Sequence, residues 1–373
     1  MSERPKPPYR ADHVGSLLRP EPLKEARARR ALGEISAEAL KAVEDREIEK
    51  VIRRQEEVGL KSITDGEFRR VSWNYDFLER LAGVESYEGE RKIKFNAQGP
   101  QPRSILLRVI GKLGGYKPYP MIDDFQFLMN HTGQTAKMTI PSPSSLHFRY
   151  GRDAVPETIY PVMDEFYSDL GQSYCKVLRA FADAGCRYLQ LDEVNLAYLC
   201  DPTLREHIKA RGEDPAGLPD IYAGMINAAM ADIPDDMTIT MHLCRGNFRS
   251  SFVAAGGYEP VAETLFNKIK VHGYFMEYDT ERAGGFEPLR LVPKDKTVVL
   301  GLVTSKSGTP ESRDEIKPRN TFRSISFVSR RNAALPRPRR EMFCPKASNG
   351  RSCARSSRSP RRCGDELPPA GRG

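Results

Sequence analysis

The sequence predicts an α/β fold of the (β/α)8 TIM-type barrel class, and three observations predict it. Seven apolar strand-like runs recur along the chain, each followed by a helical or irregular connection and none by a tight hairpin, which is the pattern of a parallel sheet. Polar residues gather at the C-terminal ends of these runs, namely Ser16, Glu67, Asp192, Glu193, His242, Cys244 and Glu277. In such a barrel all strand C-termini surround one mouth. No glycine-rich phosphate loop follows the first run, which disfavours an open doubly wound sheet.

The elements follow in order. Residues 12–18 read as the first strand, and 21–32 and 37–58 as helices with apolar residues at three- and four-residue steps. The second strand is 62–67. An excursion from about 83 to 120, with a strand at 104–110, reads as an inserted hairpin. The third strand, 136–140, is ended by Pro141-Ser142-Pro143, and a long amphipathic helix over 157–184 leads to the fourth, 186–193. The fifth, sixth and seventh are 238–244, 274–277 and 297–303. Nothing after Pro310 reads as a buried strand followed by a helix, so the eighth strand is expected to be missing or disrupted.

At 373 residues the chain suits one large barrel or two ordinary domains, and no run reads as a secretory signal or membrane span, so a cytoplasmic setting without membrane partners is expected. Seven irregularly spaced cysteines fit reduced thiols better than a disulfide framework. The net charge of +8 belongs to the C-terminal stretch: residues 320–373 hold twelve Arg and one Lys against three carboxylates, or +10, leaving −2 for the rest. The body therefore carries no charge signature for nucleic acid.

Side chains two apart on a strand share a face, so the imidazole of His242 and the thiol of Cys244 can converge on one ion, with Glu277 arriving from the next strand. A His-x-Cys pair alone equally fits core packing. Glu277 weighs toward metal, because a carboxylate just after an apolar strand is buried only when paired or coordinating. A closed zinc site takes four donors, and a catalytic one takes three plus an open position. Asp192 and Glu193, adjacent at a strand end, need solvent, cations or a function, whereas Ser16 also fits a turn and Glu67 a helix cap.

Asp12-His13-Val14-Gly15-Ser16, Asp65-Gly66-Glu67-Phe68, Gln190-Leu191-Asp192-Glu193, His242-Leu243-Cys244 and Glu277 stand in an order that resembles the catalytic barrel of the cobalamin-independent methionine synthase family, in its short stand-alone form. The resemblance covers residues 10–317 or so. It implies a methyltransferase that methylates the thiol of homocysteine to give methionine, with Zn2+ held by His242, Cys244, Glu277 and a second cysteine in a Pro-Gln-Cys-Gly-Phe-Ala-Ser segment on the eighth strand. It also implies that Ser16, Glu67, Asp192 and Glu193 hold the amino-acid end of the substrate, with Glu67 and Asp192 as the catalytic carboxylates. Lys306 stands where the larger enzymes place a substrate-side histidine. The methyl donor stays open between a methylated folate and another methyl carrier. Alkyl transfer to a different thiol, of the coenzyme M kind, and an inactive truncated homologue are the alternatives.

The Pro-Gln-Cys segment is missing from the chain as it reads. Residues 1–318 form the expected barrel domain, while 319–373 are Arg-, Pro- and Ser-rich with no hydrophobic period, a composition that favours disorder. Shifting the reading frame by one base lets 320–343 encode Glu-Tyr-Val-Pro-Leu-Asp-Gln-Leu-Cys-Leu-Ser-Pro-Gln-Cys-Gly-Phe-Ala-Ser-Thr-Glu-Glu-Gly-Asn-Val, which contains the missing motif. The arginines of this stretch thus read as out-of-frame codons and not as a nucleic-acid surface.

Overall fold

The computed structural model describes residues 6–9, 11–89, 104–118, 120–247 and 251–304, all within the first of two compact units, Met1–Leu335. The expected eighth strand, Lys306 and the stretch from 319 onward lie outside the described residues. In chain order the helices are α1 Glu21–Ala31, α2 Ala37–Glu57, α3 Tyr75–Leu78, α4 Pro120–His131, α5 Ser144–His147, α6 Met163–Asp183, α7 Asn195–Tyr198, α8 Pro202–Ala210, α9 Leu218–Ala229 and α10 Glu259–Glu263. The strands are β1 Ser62–Ile63, β2 Val84–Gly89, β3 Ser104–Val109, β4 Thr135–Ala136, β5 Met138–Pro141, β6 Tyr188–Glu193, β7 Thr238–Leu243, β8 Gly273–Glu277 and β9 Thr297–Gly301.

Strands β5 to β9 make a parallel sheet in sequence order, and β1 pairs parallel with β4. β4 and β5 are one run interrupted at Lys137, whose backbone N–H donates to Ile63 O at 2.8 Å. Residues 12–17 lie beside β1 without forming a regular ladder: Leu17 N–H donates to Gly66 O at 3.1 Å and Thr64 Oγ1 to Gly15 O at 2.7 Å. Six of the seven expected parallel strands are therefore seen among the described residues, β4 and β5 counting as one, whereas 12–18, expected as the first strand, runs as irregular backbone tied to the second by these two bonds. The excursion is the antiparallel hairpin β2–β3, paired from Val84↔Val109 to Gly89↔Ser104.

Local chemistry sets the boundaries. Ser36 caps α2 by accepting from Ala39 N–H at 3.2 Å, and the helix buries Ile48, Val51, Ile52 and Gln55 on one stripe. The Gln55 amide then closes two hydrogen bonds with the backbone of Thr64, at 2.8 and 3.0 Å, fastening the end of the second stave to its helix. α6 starts at Met163 and not at 157, because Pro161 lacks an N–H and Val162 is extended at φ −112°, ψ 125°. β6 starts at Tyr188 and not at 186, because Cys186 N–H still donates to Phe181 O at 2.9 Å in the turn that ends α6.

Two faces result from strand alternation. Leu189, Leu191, Ile239, Met241, Leu243, Tyr274, Met276, Val298 and Leu300 join the main core shared with the helices, whereas Phe275 and Val299 pack separately with Val14 inside the sheet's curve. The inner face is otherwise polar. At its base Asp12 and Lys137 form a fully buried ion pair at 3.1 Å. Asp12 also accepts from Ser62 Oγ and Tyr188 Oη, both at 2.7 Å, and the Lys137 ammonium sits 4.0 Å from the Phe275 ring centroid. Five staves meet in this cluster. Burial alone would push the Asp12 carboxyl up, but Lys137, His13 and the two hydroxyl donors outweigh it and hold the group below its usual range.

Gly15 is required where stave one crosses this interior: it has φ +111°, and a Cβ there would come within 2.7 Å of Thr139 Cγ2. Removing one partner of a buried pair leaves an uncompensated charge, so Lys137→Met is expected to lower unfolding stability by about 3–5 kcal/mol. Asp12→Leu combined with Lys137→Met should recover a good part of that loss. Urea unfolding of the two variants checks this, and a double variant no more stable than the single would contradict it.

Candidate functional site

At the C-terminal rim of the sheet the inward alternation of β7 carries His242 and then Cys244. The β7–β8 register pairs His242 with Phe275 and Leu243 with Met276, so the next step brings Cys244 level with Glu277. One nitrogen, one sulfur and one carboxylate oxygen of these residues all lie within 4.8 Å of one another. Two ligands on a tetrahedral zinc stand about 3.5 Å apart, given bonds of about 2.0–2.3 Å, so this cluster needs only a small contraction to hold an ion. His242 Nδ1 lies 3.2 Å from Phe275 O, an atom that only accepts, so Nδ1 carries the proton and Nε2 is the nitrogen that could serve a metal. Glu277 is buried and held on both oxygens, by Asn247 Nδ2 at 2.6 Å and by Arg282 Nη2 at 2.8 Å. Asn247 Nδ2 is also 3.6 Å from Cys244 Sγ.

A second group is built from the turn after β1 and from β6, the strand next to β7. Asp65, Gly66 and Glu67 form a tight turn in which Asp65 Oδ1 accepts from Glu67 N–H at 2.8 Å. Glu67 adopts φ +59°, the only described residue other than glycine in the left-handed region. That backbone swings its carboxylate inward, where Oε1 accepts from Thr139 Oγ1 at 3.0 Å and lies 3.6 Å from Arg70 Nη1. Arg19 braces the same turn, donating to Glu67 O at 2.7 Å and to Ser16 Oγ at 3.0 Å. Asp192 stands on the inner face of β6, accepts from Gln190 Nε2 at 2.7 Å, and is the ladder partner of His242. Burial first, and then the negative charge of Glu67, push the Asp192 carboxyl up to about 7, against the pull of Gln190, Arg70 and Lys137. His13, beside this interior, is pushed down to about 4 by burial and then by the charge on Lys137, so it is neutral at pH 7.

Of the residues expected from the sequence, His242, Cys244 and Glu277 come together, and Ser16, Glu67 and Asp192 line the neighbouring part of the rim. Glu193 does not, which corrects the expectation that it binds substrate. It stands on the opposite face of β6, fully buried, where it accepts from Ser144 Oγ at 2.5 Å, Asn195 N–H at 2.7 Å and Leu196 N–H at 3.0 Å. It caps α7 and ties it to α5. The residues that sequence reasoning missed are Arg19, Arg70, Asn247 and Arg282, each three to five positions after a residue it selected. A basic or amide residue at that offset, on the turn leaving a strand, is the signal that finds them.

No protein-family model matches the chain. An uncharacterized Bacillus subtilis protein, YxjH, is 49% identical over 326 residues, covering 87% of this chain and 85% of that protein. The solved structure of a protein from Listeria monocytogenes, described as a vitamin-B12-independent methionine synthase, is 38% identical with a TM-score of 0.70, over 87% of this chain and 92% of that one. A methionine synthase from Sulfurisphaera tokodaii is 24% identical over 307 residues, 81% of this chain and 77% of its own.

The raised Asp192 carboxyl has a direct test. Its folded-state value near 7 lies above the 3.8 of an ordinary aspartate, so the native chain holds this proton longer than the unfolded one. The resulting stabilisation is present at acid pH and is lost as pH rises through about 7. Glu67→Gln removes the adjacent charge and is expected to move the Asp192 midpoint down by about one unit. Carboxyl-carbon NMR titration measures it, and an unmoved midpoint would refute the coupling.

Proposed function

The chain belongs to the vitamin-B12-independent methionine synthase family, and on that premise we propose that it transfers a methyl group to the sulfur of homocysteine, giving methionine, at a zinc ion held by His242, Cys244 and Glu277. The observation that carries the reading is the convergence of these three donors on the same rim as the Glu67–Asp192 pair. A metal centre and an amino-acid pocket share one rung of the sheet, because Asp192 and His242 are partners across β6 and β7.

Zinc bound there supplies an unprotonated substrate sulfur at neutral pH, where a free alkyl thiol is mostly protonated. The remaining work belongs to the chain. Glu67 and Asp192 pair with the ammonium of the substrate and Ser16 with its carboxylate, which fixes the amino-acid end and aims the sulfur at the metal. An ammonium between two carboxylates also offsets their mutual repulsion, so binding draws Asp192 into its ionised form. The S–C bond forms from a sulfur electron pair, the methyl leaves its donor without the bonding pair, and the proton shed by the thiol is available to the demethylated donor. A methylated folate or another methyl carrier fills the donor role. Lys306 is assigned to the substrate side by resemblance alone.

No helix among the described residues is long and apolar enough to cross a membrane. We assign residues 1–318 to the catalytic barrel and 319–373 to out-of-frame sequence. A second thiolate from the Pro-Gln-Cys segment would complete the zinc site, so activity of the chain as written is expected to fall short of a version carrying the restored frame over 320–343.

The test compares both versions with homocysteine and with coenzyme M as acceptors, beside zinc stoichiometry. Zinc-dependent methionine formation, stronger with the restored frame and lowered by about 100-fold or more in Cys244→Ser, is expected. Undiminished turnover after metal removal, or a preference for coenzyme M, would overturn the assignment.

A further inference from the structure

Arg282 lies in the loop after β8 and reaches back to the site with a single nitrogen. Its Nη2 donates to Glu277 Oε2 at 2.8 Å and to Asp279 Oδ1 and Oδ2 at 3.0 and 3.2 Å. The three side chains are 7%, 1% and 2% exposed, so two carboxylates share one guanidinium away from water, and the buried guanidinium of Arg245 also acts electrostatically on Glu277. Nε donates to Thr280 Oγ1 at 3.1 Å, the guanidinium packs 4.6 Å from the Phe252 ring centroid, and Nη1 is buried without a hydrogen-bond acceptor among the described residues. On the other side of Glu277, Asn247 occupies Oε1. Both oxygens offered to a metal are thus engaged by nitrogen donors.

We propose that Arg282 is a latch on the metal centre: it holds Glu277 in the metal-free chain and shifts its whole grip to Asp279 as the ion binds. This rests on reading His242, Cys244 and Glu277 as metal ligands. An oxygen bonded to a guanidinium is a weaker donor to a cation, and an incoming ion has to compete with Arg282 for it. Asp279 makes the exchange cheap because it already accepts from the same nitrogen, so the guanidinium moves little and keeps a buried partner. The latch therefore tunes how tightly the site binds metal and protects the empty site from collapse. An ordinary orienting partner of a ligand would act in the opposite sense, since its loss weakens binding by about 10–100-fold.

The two senses are separated by zinc affinity, measured on the full chain by competition with a chelating dye. Arg282→Met is expected to bind zinc about 10-fold more tightly, while its metal-free melting temperature falls and recovers on adding zinc. Arg282→Lys should stay near the parent. Asp279→Asn, which leaves the guanidinium no second carboxylate, should bind zinc more weakly and serves if the methionine variant does not fold. An affinity lowered or unchanged in Arg282→Met, or unchanged in Asp279→Asn, would overturn the latch. Zinc binding absent from the parent, as from Cys244→Ser, would overturn the ligand assignment and the latch together.

Discussion

In a parallel sheet whose strands keep register, the parity of a residue decides which face it serves, and the rest of this molecule depends on that constraint. Gln190, Asp192, His242, Phe275, Glu277 and Val299 share the inner face, while Leu189, Leu191, Met241, Tyr274, Met276 and Leu300 meet the helices. A slip of one position on β7 would bury His242 among the helix-packing leucines and turn Leu243 toward the metal donors. The outer hydrophobic contacts therefore hold the chemistry in place although none of them touches it.

The inner face is polar from base to rim. Asp12 and Lys137 sit below, Thr139 and Gln190 between, and Glu67, Asp192 and His242 above. Polar groups so far from water persist because most are matched to a specific partner. The base achieves near-complete pairing, and its carboxyl is held low. The rim falls short of it: Asp192, buried and then also facing the charge of Glu67, is pushed up to about 7. On the function proposed above, that contrast separates the structural half of the interior from the half assigned to the substrate, since a pocket for a cationic group is left with charge unspent until the group arrives.

Much of this was legible in the sequence. Six of the strands, the two long helices near the N-terminus and the inserted hairpin follow from periodicity, and the His-x-Cys spacing with Glu277 picks out three side chains that the structure brings together. Illegibility had particular causes. Glu193 looked equivalent to Asp192 because both end the same strand, yet alternation turns them to opposite faces, and the capping demand of α7 decides the second. The start of α6 is hidden because the apolar stripe extends N-terminally beyond Pro161, whereas the backbone admits the helix only from Met163. Arg19 and Arg282 stand in loops outside any strand or helix period, so only their offset of three and five positions from Ser16 and Glu277 marks them.

Glu67 combines a charge with a backbone conformation that residues bearing a side chain seldom adopt. The two demands pull residue choice in opposite directions. Glycine or asparagine would sit more comfortably in that dihedral but lack the negative group, whereas aspartate keeps the charge on a stem one carbon shorter. If Glu67 holds the substrate as proposed above, the position offers almost no neutral path to a different one. A useful variant would have to reshape the Asp65–Glu67 turn and its Arg19 brace at the same time, which puts specificity at this corner beyond the reach of single substitutions.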